Sequence, residues 1–433
     1  MSRRYKRMPF MRGENQGKSD SVDVFSSSKE INSWVFDFLK TYIHALYSGI
    51  LAHPGVKIDS FNGMVSIEHP VLTKPRTSFQ TETGLVRIED SYIYARIKYA
   101  DADYYVSLLR MHHEIRGIVH EIIISGTSPE AKRPDALRDL LIHEAINNSM
   151  YKGKILRVLE APAERDDEDP FGLGIEIVKD LGNSALEDVF LPAAVSRDLH
   201  QFIECVGRYG DLNLSMRYIL SGPPGTAKTQ IVRSIAKACE GKATIILASG
   251  GDARLNMLFS FANIFNPAIL CVDDLDLIVG DRTQTFNKNV LGTFLQKLDG
   301  FVENHVFVLT TTNDKAMLDM AASRPGRFDQ VIDVGALEPK NYLDLVRRRT
   351  DDQEILKLFE DSDVLALLRG KEVVGAFLSN LVKQAVIRKR TNGREGLDKA
   401  ELLGIINRTY RGFYQDTTKA AVGFSAVVRE EAG

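Results

Sequence analysis

The chain has 433 residues and a formal net charge of −3 at pH 7, with 44% apolar and 26% charged residues. That length exceeds one ordinary domain, and the globular composition excludes wholesale disorder. Near-neutrality removes any global electrostatic case for nucleic acid or an anionic membrane as partner, and the three cysteines, Cys205, Cys239 and Cys271, show no CxxC or His-rich spacing, which argues against a metal or disulfide framework and for a reducing compartment.

The first eighteen residues carry Arg3, Arg4, Lys6, Arg7, Arg12 and Lys18 against Glu14, and a Ser-rich stretch follows at 19–28. Residues 1–30 read as a solvated basic arm; an organellar targeting segment is the alternative, but the stretch lacks a regular apolar face. Residues 34–52 are apolar at helical spacing yet include Asp37, Lys40 and His44. Those groups would be costly in a lipid core, so the segment reads as an amphipathic helix and no transmembrane segment is expected.

From 56 to 160 the pattern alternates with period two, as in Leu85-Val86-Arg87-Ile88, Tyr92–Tyr99 and 118–124. This predicts an antiparallel sheet, interrupted by a helix over 134–148 in which Leu137, Leu140, Leu141 and Ala145 repeat after Pro134. Residues 151–160 read as its last strand. Residues 31–160 are thus expected to be a β-rich α+β N-terminal domain that takes a substrate or adaptor. An acidic linker follows at 161–174, with APAERDDEDP at its heart.

Beyond it, short β-branched runs at 218–221, 243–248, 268–272 and 306–310 alternate with helical patterns. That rhythm predicts an α/β core over 175–338 with a parallel sheet covered by helices. Residues 339–415 are helical throughout and are expected to form a C-terminal helical lid, with a flexible tail at 416–433.

Gly222-Pro223-Pro224-Gly225-Thr226-Ala227-Lys228-Thr229 follows a short strand and opens a helix at Gln230. That is the context of a phosphate-binding loop: backbone N–H groups point at the phosphates, Lys228 adds charge at the β and γ groups, and the Thr229 hydroxyl can ligate Mg²⁺. Ala227 stands where the loop usually has glycine, as it does in MCM helicases and MoxR-type ATPases. Downstream, Ile269-Leu270-Cys271-Val272 runs into Asp273-Asp274. Carboxylates at the carboxyl end of a parallel strand suit Asp273 to Mg²⁺ and Asp274 to polarising the attacking water.

The strand 306–312 ends at Asn313, and Ser323-Arg324-Pro325-Gly326-Arg327-Phe328-Asp329 follows. Together with Leu298-Asp299-Gly300 and Gly375-Ala376, this ordered set resembles the AAA type of P-loop ATPase. The resemblance implies ATP and Mg²⁺ as cofactors, Asn313 as the sensor that places the lytic water, and Gly375 and Ala376 beside the nucleotide. It also implies that Arg324 and Arg327 act as arginine fingers on a neighbouring subunit's ATP, and hence a homo-oligomeric hexamer or heptamer ring. AAA proteins usually have Glu where Asp274 stands, and Asp is shorter by one C–C bond, about 1.5 Å; slow turnover is expected.

Within AAA, the short passage Ser249-Gly250-Gly251-Asp252 into Arg254-Leu255-Asn256 has no aromatic residue to grip an unfolded chain. That loop, Asp274 and Asp169-Pro170-Phe171-Gly172 are similar to the Bcs-type family, whose mitochondrial members sit in the inner membrane and translocate a folded Rieske protein. The expectation is an ATP-hydrolysing ring that remodels or translocates a protein substrate in the cytoplasm, with an organellar matrix the alternative. A nucleic-acid-associated ATPase is favoured less, by the basic arm and Arg388-Lys389-Arg390; a slow nucleotide switch is favoured by Ala227 with Asp274.

Overall fold

The computed structural model describes residues 25–62, 65–68, 78–81, 84–88, 92–113, 117–126, 128, 130–159, 175–182, 185–249, 254–277, 294–296, 298, 305–314, 327–371, 373–391 and 397–422. The basic arm through residue 24, the linker at 160–174, Gly250 to Asp252, Asp299, Gly300 and Arg324 lie outside them. The chain divides into two compact units, one running to Ser149 apart from Phe79–Thr83, and one from Met150 onward.

The first unit contains β1 (Ser26–Ile31), α1 (Ser33–Tyr47), β2 (Val56–Asn62), β3 (Val65–Glu68), β5 (Gly84–Ile88), β6 (Tyr92–Tyr99), β7 (Ala102–His113), β8 (Gly117–Gly126) and α2 (Pro134–Asn147), with β4 (Ser78–Thr81) running from its Ser78 into the excepted stretch. Its main sheet is antiparallel in the order β1-β8-β7-β6-β2, and β3 pairs with β5 separately. Period-two alternation buries Ile93, Ala95 and Ile97 on β6 and Tyr104, Val106 and Leu108 on β7. Asn32 caps α1 by accepting the Val35 N–H at 2.8 Å, and the helix buries Phe36, Leu39 and Ile43 at helical spacing.

One correction falls at the start of this unit. Residues 26–30 were expected in the solvated arm, but β1 pairs with β8 from Ser26 opposite Ser125 to Ile31 opposite His120. Serine reads as coil, yet Ser27 is buried and its hydroxyl donates to Asp135 Oδ1 at 2.5 Å.

The second unit contains β9 (Ile155–Val158), β10 (Ile175–Ile177), α3 (Ala193–Gly207), α4 (Tyr209–Leu212), β11 (Arg217–Ser221), α5 (Lys228–Cys239), β12 (Thr244–Ser249), α6 (Leu255–Ala262), β13 (Ala268–Asp273), β14 (Val306–Thr312) and β15 (Gln330–Asp333). Its helical part follows with α7 (Tyr342–Arg349), α8 (Gln353–Glu360), α9 (Ser362–Arg369), α10 (Gly375–Thr391) and α11 (Lys399–Val422). The sheet order is β10-β9-β12-β13-β14-β11-β15, parallel except for β10 on β9.

A second correction lies in β9. The strand expected to close the first sheet instead joins this one, parallel to β12 with Ile155 opposite Ile245. Its Ile155 and Leu156 are both buried, as a strand inside a helix-covered sheet requires. At the other end, the last helix runs on to Val422, past the lid boundary expected at 415.

Helix α5 covers the sheet with Ile231, Ile235 and Cys239 at four-residue spacing and with Val232 and Ala236 beside them, all buried. Burying each isoleucine contributes about 2 kcal/mol. Phe202 of α3 packs on Tyr218 and Phe307 at centroid distances of 5.2 and 5.6 Å, which fixes the strands on either side of the site. Helices α7 to α11 have their own core around Val346, Phe359, Leu368, Phe377, Leu381 and Ile406. Among the described residues, no helix is long and apolar enough to cross a membrane.

Candidate functional site

Parallel strands β11, β13 and β14 end side by side, so Gly222, Asp273 and Asn313 meet at one edge of the sheet. After β11 the chain turns through Gly222 at φ +155°, where an added Cβ would lie 2.1 Å from the Val334 carbonyl oxygen. Only glycine fits. Gly225 follows at φ +85°, and Ala227 caps α5 at φ +73°, a left-handed conformation that disfavours a side chain. The glycine usual at this place would adopt it freely. Pro223 and Pro224 project at the surface of the turn, while Thr226 is buried and donates to the Pro223 carbonyl at 2.9 Å.

Lys228 is 5% exposed. Its ammonium donates to the Gly222 and Pro223 carbonyls at 2.7 and 3.0 Å and to Asn313 Oδ1 at 2.8 Å. Burial lowers its pKa, opposed by the carboxylates of Asp274, Asp276 and Asp273. Asn313 then passes the chain on, donating from Nδ2 to Asp274 Oδ1 at 3.0 Å. One amide therefore joins the loop lysine to the acid of the strand edge.

Asp274 sits at φ +54° and is half-buried. Burial and then the neighbouring Asp273 charge raise its pKa above the ordinary carboxylate value, with the Asn313 hydrogen bond acting the other way. Asp273 accepts the Thr311 hydroxyl at 2.6 Å, and that hydroxyl oxygen accepts the Asp274 N–H at 2.8 Å. Thr229 and Gln230 are exposed at the start of α5 and line the same cavity. An aliphatic hydroxyl at Thr229 and a carboxylate at Asp273 are hard oxygen donors of the kind Mg²⁺ takes, so the residues fit that ion.

The cavity measures ≈ 1170 Å³ and is closed on one side by the helical lid. Gly375 and Ala376 line it, and the Ala376 N–H donates to the Gly225 carbonyl at 3.1 Å, tying the start of α10 to the loop. Arg327 is 8% exposed in the single chain and is not among the residues lining the cavity; Arg324 lies outside the described residues.

Several residues here were not singled out from the sequence. Asp276 accepts the Asn313 N–H at 3.0 Å, a role hinted at only by the alternation Asp274-Leu275-Asp276. Thr311 stood inside an apolar strand pattern. Phe190, Arg348 and Arg349 line the cavity from segments with no motif of their own.

Comparison with known proteins agrees with this geometry. Residues 218–336 match the family described as "ATPase family associated with various cellular activities (AAA)". The chain is 34% identical over 184 residues to the "Mitochondrial inner membrane i-AAA protease supercomplex subunit YME1" of Saccharomyces cerevisiae, covering 39% of this chain and 24% of that protein. It is 29% identical over 216 residues to the human "ATPase family gene 2 protein homolog A", covering 46% and 24%. It is 31% identical over 206 residues to the "ATP-dependent zinc metalloprotease FtsH 2" of Thermoanaerobacter sp., covering 44% and 39%. The chain therefore spans well under half the length of these relatives. What the match and the geometry share is the segment from β11 to the start of the lid: residues 218–336 are an AAA ATPase domain, with a β-rich sheet before it in the chain and helices after it.

Proposed function

We propose that this chain hydrolyses ATP and uses the cycle to remodel or translocate a protein substrate, working as a homo-oligomeric ring. The observation that carries the catalytic part is the line Lys228–Asn313–Asp274 across the cavity floor. Lys228 faces the β and γ phosphates, and the backbone N–H groups of the loop and the first turn of α5 receive their oxygens. Asp274 accepts a proton from the attacking water, which Asn313 orients between the lysine and the acid. A magnesium ion on Thr229 and Asp273 would neutralise phosphoryl oxygens.

Arg324 and Arg327 are proposed to complete the site of a neighbouring subunit; one guanidinium in that role is worth about 10³- to 10⁵-fold in rate in related NTPases. Arg327 is buried in the single chain and must change its surroundings to reach across, which makes Arg324 the first candidate. An arginine supplied in trans requires an oligomer, and the resemblance to AAA proteins supports a hexamer or heptamer ring.

A protein substrate is supported by the relatives, two of which are named as proteases. The finer resemblance to the Bcs type is supported by Asp274 and by the passage from Ser249 at the end of β12 to Leu255 at the start of α6, which is too short for a long gripping insertion. The nucleic-acid reading loses part of its motive, because Lys389 pairs with Asp352 and Glu354, and Arg388 with Glu401.

The test is Mg²⁺-dependent phosphate release with particles imaged in a slowly hydrolysed ATP analogue. Closed rings, and turnover lost in Lys228→Ala and Asp274→Asn, are expected. Turnover that survives both substitutions refutes the assignment. Wild-type protein that binds ATP without releasing phosphate supports the nucleotide switch instead.

A further inference from the structure

We propose that the outer face of the N-terminal sheet is a stacking platform for single-stranded nucleic acid, with Tyr94 and Tyr105 under the bases and Lys57, Arg96 and Lys98 beside the phosphates. The site lies within the first unit and does not depend on the reading of the nucleotide cavity.

Both helices of that unit pack on one face of the sheet. Phe36 of α1 meets His120 of β8 at a centroid distance of 4.9 Å, His44 of α1 meets Phe61 of β2 at 5.7 Å, and Asp135 of α2 accepts the Ser27 hydroxyl of β1. Side chains alternate along a strand, so the residues between these belong to the opposite face. On β6 they are Tyr94, Arg96 and Lys98, set between the buried Ile93, Ala95 and Ile97; on β7, Tyr105 follows the buried Tyr104. Register agrees, because Tyr105 stands opposite Arg96, one diagonal step from Tyr94. The two rings stack, with centroids 5.3 Å apart and planes 26° from parallel, and both stay partly exposed. Strands β6 and β7 are interior to the sheet, so the rings form a flat aromatic surface in its middle. Any base can stack there through its π-face.

Charge divides this face by side. Toward the β2 edge, Lys57 lies directly opposite Lys98 and Ser60 opposite Arg96, and all four are exposed. Like charges opposed across two strands are destabilising, and an anion between them relieves the repulsion. Carboxylates do so only in part: Asp59 lies 4.0 Å from Lys57, and Asp103 pairs with Arg96 at 3.1 Å. Toward the β1 edge, the outward charges are Glu30 and Glu121, which stand opposite each other. Phosphates are therefore drawn to the β2 side, and bases reach inward across the tyrosines. A duplex keeps its bases stacked and paired, so the face fits a single strand.

Fluorescence anisotropy of the full chain with labelled oligothymidylate and oligouridylate, beside an abasic oligomer of the same length, separates stacking from phosphate attraction and DNA from RNA. Wild-type protein at low salt is expected to prefer a base-bearing strand to the abasic one. Any contribution of the basic leader falls equally on both. Tyr94→Leu and Tyr105→Leu, which keep apolar bulk without a ring, are each expected to weaken the base-bearing strand about five- to a hundredfold, the range for loss of one base–aromatic stack, and to leave the abasic strand within twofold. Tyr94→Phe and Tyr105→Phe keep the ring and should bind within twofold of wild type. Lys98→Gln is expected to lower the slope of log Kd against log salt by about 0.7, the value of one phosphate contact on a single strand. Equal affinity of wild type for base-bearing and abasic strands, or an unchanged preference in the leucine variants, overturns the proposal. So does the absence of binding at low salt, a result that points to a protein partner for this face.

Discussion

Thr311 donates its hydroxyl to Asp273 Oδ1 at 2.6 Å and accepts the Asp274 N–H on the same oxygen, so one buried hydroxyl sets the positions of both strand-edge acids. It does so from the neighbouring strand β14, where Thr311 lies one residue beyond the last pair, Val272 and Thr310. Thr311→Val keeps the shape and removes both hydrogen bonds. An unsatisfied buried N–H costs about 1 to 3 kcal/mol, so the variant is expected to unfold at lower denaturant concentration by that amount. ATP turnover is expected to fall at least tenfold while nucleotide binding changes little. Thr311→Ser restores the hydroxyl and is expected to recover most of the activity. Unchanged turnover in the valine variant counts against this role.

Ala227 invites the opposite experiment. It holds φ +73° at the mouth of α5, a conformation that disfavours L side chains by about 1 to 2 kcal/mol. Ala227→Gly relieves that strain but adds freedom to the unfolded chain, so a net gain of about 1 kcal/mol or less is expected, read as a Tm higher by a few degrees. The loop should also close more readily around phosphates, with a lower Kd for ATP. Gly222→Ala is expected to do the reverse and abolish binding, because its Cβ would meet the Val334 carbonyl oxygen.

The phosphate loop and the strand-edge acids were legible because their chemistry is local: a turn of fixed length between a strand and a helix leaves one arrangement of glycines, lysine and threonine. What was not legible depends on contacts between distant segments. The four residues Ile155–Val158 are apolar enough for either sheet; only the pairing with β12 decides. The serines of β1 resemble a linker until Asp135 and Arg138, more than a hundred residues on, hydrogen-bond to Ser27. Phe190 and Arg348 look like an ordinary apolar residue and one charge of a basic run, and the meeting of Arg348 with Asp188 spans 160 residues.

Asp276 shows how far the site extends beyond its motif. Its carboxylate accepts the Asn313 N–H at 3.0 Å, and Asn313 is the amide that joins Lys228 to Asp274. Asp276 does not itself line the cavity, so it acts through its hydrogen bond to Asn313 and through its charge on Lys228 and Asp274. Asp276→Ala is expected to lower kcat about tenfold with KM nearly unchanged, since the ground-state contacts to phosphate do not involve it. Asp276→Asn keeps an acceptor oxygen and should recover part of kcat. Equal loss in both variants, or a change confined to KM, counts against the positioning role.

The raised pKa of Asp274 links activity and stability in opposite directions. The ionised carboxylate is the form that accepts a proton from water, so kcat is expected to fall as pH drops through the raised value, giving an acidic limb above the ordinary aspartate pKa of about 3.9. For folding the sign reverses. The native state holds this proton more tightly than the unfolded chain, so the group's stabilising contribution is full below the unfolded pKa and is lost as pH rises through the folded one. Asp274→Asn removes the charge, keeps an oxygen for the Asn313 amide and suits the left-handed backbone at φ +54°. The variant is therefore expected to be inactive yet to have a higher Tm than wild type at pH 7, a difference that shrinks as the pH is lowered toward 4. Melting curves of both proteins across that range decide it: a wild-type advantage at pH 7 would mean that Asp274 gains more from Lys228 and Asn313 than it loses to burial and Asp273.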